Sequence, residues 1–136
     1  MRFANLRAEG RSHVVVNTVD ATAGGWKQLA VAVCGEGTGL FAHRLAVLSH
    51  RGRGTFDLRC FRPDGSAGEP DVPLLACAAR AVQRRYGYRR TLLRSSGRVH
   101  LAELTGDSVS VRPWPEDAPP GVPVPVTYLF DGELLP

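Results

Sequence analysis

The segment from 73 to 86 constrains the fold more than any other part of the chain. Pro73 lies in its first turn and Gly87 just after its end, which are typical signals for the two boundaries of a helix. No face of the segment carries a charge before Arg80. Apolar residues recur along it at helical spacing: Leu74, Cys77, Ala78, Ala81 and Val82. We therefore expect a central helix that is surrounded by a sheet.

The rest of the chain is typical of short strands that are separated by turns. Residues 12 to 17 have the β-branched density of a buried strand, and the helix expected after them ends before the glycines of 34 to 39. The apolar face of this helix is Trp26, Leu29, Ala30 and Val33. Further strands are predicted at 45–49, 56–61, 91–95, 98–104 and 107–112. The last three of these form a meander, and the fold class is α/β, with a curved, mostly antiparallel sheet around the helix at 73–86.

The length of 136 residues fits one ordinary domain. We expect this domain to cover residues 1–112. Residues 113–125 hold six of the ten prolines, so they should form an extended connector. The connector should lead to a C-terminal strand and tail at 126–136, with the strand at 126–130.

Composition excludes several classes of protein. No stretch reaches the roughly 20 apolar residues that cross a membrane, and the N-terminus lacks the apolar core of a signal peptide. The three cysteines are odd in number and widely spaced, which fits neither a disulfide framework nor paired zinc ligands. We expect reduced thiols, a cytoplasmic location and no membrane contact.

The net charge is +4, and its densest basic run is RRYGYRR at 84–90. Arginines beside tyrosines can bind phosphate and stack on bases. Here, however, the run falls where the central helix should end, and cations at that position also complement the helix dipole. We therefore do not expect nucleic acid as a partner. The glycines of 34–39 lack the strand before and the lysine after that a phosphate loop needs, and no metal-binding motif is present, so we expect no metal and no cofactor.

Three blocks of the sequence, placed on these elements, resemble a known family. They are MRFANLRAEGRSHVVV at the start, FDLRCFRPDGSAGE at 56–69, and the helix that ends in CAAR at 77–80. The three blocks follow the order of that family and nearly its spacing. Residues 1–112 thereby resemble the N-terminal half of diaminopimelate epimerase, a cofactor-independent family. The resemblance implies two similar α/β halves around a shared cleft, of which this chain supplies one. It therefore implies a homodimer, or a heterodimer with another half.

The matched positions at the start of the central helix depart from the family. Each family half contributes a catalytic cysteine followed by Gly-Asn-Gly, whose backbone N–H groups hold a substrate carboxylate. In this chain Asp71 stands in the place of that cysteine, and Val72, Pro73 and Leu74 replace the three residues after it. Pro73 removes an N–H donor outright. A two-cysteine epimerase is therefore not expected.

Other positions that match substrate-binding residues of the family have become basic. Arg11 and Arg62 stand where family members have asparagines, and residues 41–44 replace a Gly-Ala-Asp-Gly stretch. Guanidinium groups there either form internal salt bridges or bind an anionic ligand in bidentate fashion. The predicted substrate-binding set is Arg11, Arg62 and Ser66.

Asp71 is the leading candidate for a catalytic residue, but a structural role is also open to it. An aspartate at the start of a helix can simply cap it, by accepting an N–H from the first turn. Alternatively, a carboxylate that is partly buried in a dimer cleft could replace the thiol as acid or base. Glu69 could share these duties with Asp71. His43 would add a group that titrates near neutral pH if its loop faces the cleft.

Two hypotheses of function follow. The first is a repurposed isomerase or cyclase that moves a proton at carbon on a small anionic or amino-acid-derived metabolite, in a cleft between two subunits. The second is a non-catalytic binding or scaffold subunit that pairs with itself or with another half. A catalytic site requires a cavity into which Asp71 points, whereas an Asp71 that only caps its helix, with no cavity beside it, favours the scaffold.

Overall fold

A computed structural model describes residues 1–20, 25–115, 117 and 119–133 of the chain. The elements within these ranges are β1 (Arg2–Ala8), β2 (Arg11–Asn17), α1 (Trp26–Cys34), β3 (Arg44–Gly52), β4 (Thr55–Phe61), β5 (Ala67–Gly68), α2 (Val72–Tyr86), β6 (Arg90–Ser95), β7 (Arg98–Thr105), β8 (Ser108–Pro113) and β9 (Val124–Glu133). A single turn of 3-10 helix, Thr18–Asp20, follows β2.

The sheet closes into an eight-stranded barrel. Its strand order is β3-β2-β1-β9-β8-β7-β6-β4, and pairing between β3 and β4 joins its two ends, while the two-residue β5 adds to β4. Neighbouring strands are antiparallel except β2 with β3 and β4 with β6, and each of these parallel pairs is connected through one of the helices. The curved, mostly antiparallel sheet predicted from the sequence is confirmed, and it closes completely.

α2 fills the inside of the barrel, as its apolar sequence predicted. Residues 74 to 79 are all buried, and they pack against the inward side chains of strands all around the barrel. Gly87 ends the helix in the left-handed conformation at φ 83°, which glycine adopts without a steric cost. The charges of Arg84 and Arg85 appear only where the helix leaves the barrel.

α1 lies on the outside of the barrel and creates a second apolar core there. Side chains alternate along β2, so that Val15 packs inside with α2, whereas Val14 and Val16 pack outside with α1. β2 is therefore buried on both faces, which explains its unbroken β-branched sequence. The apolar face predicted for α1 is confirmed, since Ala30 and Val33 are buried and Trp26 and Leu29 pack against them.

Two strands differ from the sequence-based expectation. No strand was expected at 2–8, yet β1 forms there and pairs with β2 and β9. The last strand begins at Val124, two residues before the expected 126, and extends to Glu133 between β1 and β8. The barrel closes only if a strand fills the gap between β1 and β8. Pairing with these two strands makes β9 longer than the apolar segment at 126–130. Residues 134–136 of the expected tail lie outside the described residues.

Two further features concern the class of protein. Within the described ranges, neither helix has the length and apolarity that a membrane-crossing segment needs. Cys34, Cys60 and Cys77 are free thiols, and the last two are buried in the barrel core.

Candidate functional site

Five polar side chains meet at the end of the barrel where α2 begins. β2 and β3 are parallel, so the residues at their starts lie side by side, with His13 paired to Arg44 in register. β2 also runs in the direction of α2, because His13 contacts Cys77 early in the helix and Asn17 contacts Tyr86 at its end. We call the group of Arg11, His13, His43, Arg44 and Asp71 the N-terminal mouth.

Asp71 caps α2 with one of its two carboxylate oxygens. Oδ1 accepts a hydrogen bond of 3.0 Å from the backbone N–H of Leu74, and the carbonyl of Asp71 accepts from Leu75. Within the described ranges, the other oxygen, Oδ2, has no hydrogen-bond partner. The side chain is half-buried. The capping role that the sequence allowed is therefore present, and one carboxylate oxygen remains free to accept or release a proton.

His13 is fully buried, at 0 % exposure, beneath the mouth. Its Nδ1 lies 3.6 Å from the thiol of Cys77 on α2. Burial raises the pKa of Cys77 to about 12, so the thiol keeps its proton and can donate it to Nδ1. The hydrogen of the neutral ring is then on Nε2, an atom with no partner among the described residues. An unpaired buried donor costs about 1–3 kcal/mol, so this N–H would be stabilised by a hydrogen-bond acceptor.

His43 links the buried part of the mouth to its exposed rim. Its ring packs edge-to-face against that of His13, with the centroids 5.7 Å apart. On the other side, Nε2 of His43 lies 3.3 Å from a guanidinium nitrogen of the exposed Arg11. Arg44 is held by the hydrogen bond that it donates to the carbonyl of Glu69 at 2.7 Å. Arg11 is thus the cation of the mouth that is most accessible to a ligand.

The electrostatics of the mouth keep both imidazoles neutral near pH 7. Burial lowers the pKa of His13 to about 4. The charge of Asp71 acts in the opposite direction, whereas His43, Arg44 and Arg11 lower this pKa further. The pKa of His43 is also lowered, first by burial and then by Arg11 and Arg44, while Asp71 opposes the change. A neutral imidazole can accept a proton and a carboxylate can exchange one, so the mouth holds groups suited to acid–base chemistry.

Within the described ranges, the side chains of the other predicted site residues form no hydrogen bond to a side chain of this mouth. Arg62 donates to the carbonyl of Ala67 at 2.6 Å and lies 3.4 Å from the hydroxyl of Ser66. Ser66 in turn donates to the carboxylate of Asp64. These bonds close the turn between β4 and β5. Glu69 contributes its backbone carbonyl to Arg44, and its side chain is exposed.

Two members of the mouth were not identified from the sequence. His13 lies within the strand expected at 12–17 and Arg44 at the end of the replaced stretch 41–44, and neither is among the candidate residues named from the sequence. The alternation of β2 does contain the signal, since His13, Val15 and Asn17 all lie on the inward side, where a polar residue needs a partner. The parallel pairing that brings Arg44 beside His13 has no local signature.

Two exposed apolar side chains lie next to the mouth. Val72, which follows Asp71, is 44 % exposed, and Phe41, two residues before His43, is 62 % exposed. Phe41 also has a φ of 49°, which is uncommon for a bulky residue. The rim of the mouth is therefore partly apolar.

The barrel with its enclosed helix defines the class of fold, which is the diaminopimelate-epimerase-like α/β fold. No family model matches the chain, and no curated protein matches it either. Solved structures do match. Their likeness at 10–12 % identity shows the shared fold alone.

Two of these structures are phenazine biosynthesis proteins of the PhzF family. The one from Enterococcus faecalis has a TM-score of 0.64 at 12 % identity, with 81 % of this chain and 42 % of the other covered. The one from Bacillus anthracis has a TM-score of 0.62 at 10 % identity, with coverages of 83 % and 40 %. A third is a methylitaconate-delta-isomerase, with a TM-score of 0.56 at 12 % identity and coverages of 78 % and 35 %. The chain thus spans about two fifths of the length of these proteins.

Proposed function

We propose that the chain is a cofactor-independent isomerase or cyclase that moves a proton at carbon on a small anionic or amino-acid-derived metabolite. The observation that carries the proposal is the cluster at the N-terminal mouth, where Arg11, two neutral imidazoles and the free oxygen of Asp71 lie together. The methylitaconate isomerase with the same fold supports the reaction class.

The mouth supplies the roles that such a reaction requires. Asp71 exchanges a proton with substrate carbon through Oδ2, while Oδ1 remains bound to the helix. His43 acts as the second acid or base, since burial and the neighbouring arginines lower the pKa of its imidazole and leave the ring neutral and able to accept a proton. Arg11 binds the carboxylate of the substrate. Glu69, Arg62 and Ser66 would join this set only if a substrate or a second subunit drew them toward the mouth.

A second half completes the proposed site. The chain spans about two fifths of its structural neighbours, and apolar Phe41 and Val72 flank the mouth. A homodimer would bring two mouths to face each other across a two-fold axis, and a heterodimer would pair this mouth with that of another half. We also propose a cytoplasmic location, because Cys34, Cys60 and Cys77 are all free thiols.

A scaffold function is the second candidate, and the position of Asp71 favours it. One oxygen of Asp71 is bound to the helix N–H, and a cavity of the described chain lies at the opposite end of α2, away from Asp71. In this alternative the chain pairs with a partner through the same face and performs no chemistry. Fold alone does not distinguish the two functions.

Proton transfer at carbon can be detected before the substrate is known. The chain would be incubated in D2O with a panel of small amino acids and dicarboxylic acids, and proton NMR would follow the loss of C–H signals. We expect exchange in at least one member of the panel, and a loss of at least tenfold in Asp71→Asn. Asn caps a helix as well as Asp does, so this change leaves the fold intact. The matched control is Asp107→Asn, at an exposed aspartate in the turn after β7.

The outcomes separate the two candidates. Undiminished exchange in both Asp71→Asn and His43→Gln would remove these residues from the mechanism. A chain that self-associates on size-exclusion chromatography with light scattering, yet exchanges no member of the panel alone or with its partner, would establish the scaffold function instead.

A further inference from the structure

A cavity of about 260 Å³ opens at the opposite end of α2 from the N-terminal mouth. It lies between the last turns of the helix and the strands β1, β2, β3 and β9. Its apolar floor consists of Ala4, Val15, Leu48, Ala81 and Val82. Fifteen residues of helix separate Asp71 from Tyr86, so the two regions are about 22 Å apart. An inference about this cavity therefore does not rest on the proposed function.

The cavity is lined by a polar pair, buried Asn17 and partly buried Tyr86, with hydrogen atoms to donate. Asn17 is only 6 % exposed, and its Nδ2 donates to the hydroxyl of Tyr86 at 2.7 Å. Its Oδ1 accepts from the N–H of Val19, which fixes the orientation of the amide. The hydroxyl of Tyr86 already accepts from Asn17 and has no acceptor for its own hydrogen among the described residues. This pair therefore presents an O–H group and the second amide hydrogen of Asn17.

Tyr86 is held in place by an aromatic cluster. Its ring lies 5.1 Å from that of Phe56 and 5.0 Å from that of His50. A ring packed in this way has little freedom to turn its hydroxyl elsewhere. The donor is thus positioned before any ligand arrives, which reduces the entropic cost of binding.

The lining of the cavity is positively charged. The guanidinium of Arg84 lies 4.2 Å above the ring of Tyr128, and Arg2 and Arg85 also line the cavity. The one acid of the lining is Asp131, which accepts from the hydroxyl of Tyr128 and is 3.9 Å from Nε of Arg84. Three arginines and one aspartate leave the lining with a net charge of about +2.

We propose that this cavity binds a small carboxylate with a compact apolar or aromatic body. The carboxylate accepts from Arg84 and from the hydroxyl of Tyr86, and the body of the ligand covers the apolar floor. A single acid in the lining is too few to hold a metal ion, and an inorganic phosphate would leave the floor unfilled. Binding sites of this type combine apolar walls with a few placed polar groups.

Benzoate is the probe for this site, and benzamide is its uncharged match. Amide shifts in nitrogen–proton NMR spectra of the full chain would be followed as each compound is added. We expect saturable binding of benzoate with shifts at Asn17, Tyr86 and Tyr128, and at least fivefold weaker binding of benzamide. Shifts elsewhere only, or equal binding of the two compounds, would overturn the proposal.

Two variants test the polar contacts. Tyr86→Phe keeps the ring in its cluster and removes the hydroxyl, and we expect about fivefold weaker binding. Arg84→Gln removes the charge-assisted contact and should weaken binding at least tenfold. The control is Arg89→Gln, at an exposed arginine of the same basic run that does not line the cavity.

The control separates a specific site from general attraction to a basic surface. If Arg89→Gln weakens the binding of benzoate as much as Arg84→Gln does, the binding is non-specific and the proposal is wrong. If Arg84→Gln alone weakens it, the site is where we place it. Should Tyr86→Phe not fold, which circular dichroism would report, the comparison of Arg84→Gln with Arg89→Gln still decides.

Discussion

A fall of pH below 6.5 should destabilise the folded chain through His13. Burial lowers the pKa of this imidazole to about 4 in the fold, whereas its ordinary value is 6.5. Between these values the unfolded chain binds a proton that the folded chain does not. Protonation of the unfolded chain at His13 therefore lowers the free energy of unfolding below pH 6.5, and this loss grows as the pH falls toward 4.

The structure sets the size of the effect. His13 is 0 % exposed, so solvent does not screen the difference between its two states. Each pH unit in this window costs about 1.4 kcal/mol for one group. The free energy of unfolding should thus fall by about 2 kcal/mol between pH 6.5 and pH 5, and by about 3 kcal/mol at pH 4.

Urea unfolding followed by circular dichroism at pH 7 and pH 5 measures this loss. In His13→Gln the group that titrates is gone, so the variant should lose about 2 kcal/mol less than the wild type over the same interval. The comparison uses only the change in the free energy of unfolding between the two pH values. An effect of the substitution on packing is the same at both pH values and therefore cancels. An equal loss in wild type and His13→Gln would refute the reasoning.

Three further predictions concern α2 and the mouth. Asp71→Ala removes the acceptor for the N–H of Leu74 and should cost about 1 kcal/mol in urea unfolding, whereas Asp71→Asn should cost only a few tenths; equal losses would show that the cap is not what stabilises the helix. Arg11→Gln removes a positive charge beside His43 and should raise the pKa of that imidazole toward 6.5 in an NMR titration, and no change would mean that the contact is not formed in solution. Leu75→Ala empties part of the buried core and should cost about 2–5 kcal/mol, while a cost under 1 kcal/mol would contradict the central position of the helix.

Much of the fold could be predicted because its signals are local. The helix expected at 73–86 appears at Val72–Tyr86, and the strand expected at 12–17 appears at Arg11–Asn17. Periodicity and boundary residues act within a few positions, so they can be recognised in the sequence. β1 was missed because its pattern is weak on its own and it becomes a strand by pairing with β2 and β9.

The candidate site could be predicted only in part. Asp71, Arg11 and His43 were identified from positions that match the family resembled. Arg62 and Ser66 bond within their own turn in the structure, and their binding of substrate stays a prediction. The cavity at Tyr86 had no signal beyond the basic run at 84–90, because its walls come from strands and a helix far apart in the chain.

The sequence by itself determined that a helix without charges on its first turns must be enclosed, and that short strands must enclose it. It also determined that no thiol stands at the start of this helix. Only the tertiary structure decided that the sheet closes, that β2 and β3 run parallel, and that Arg11, His13 and His43 therefore meet Asp71 at one mouth. The physical reason is that helix formation depends on neighbouring residues, whereas contact between polar groups distant in sequence depends on how strands pair.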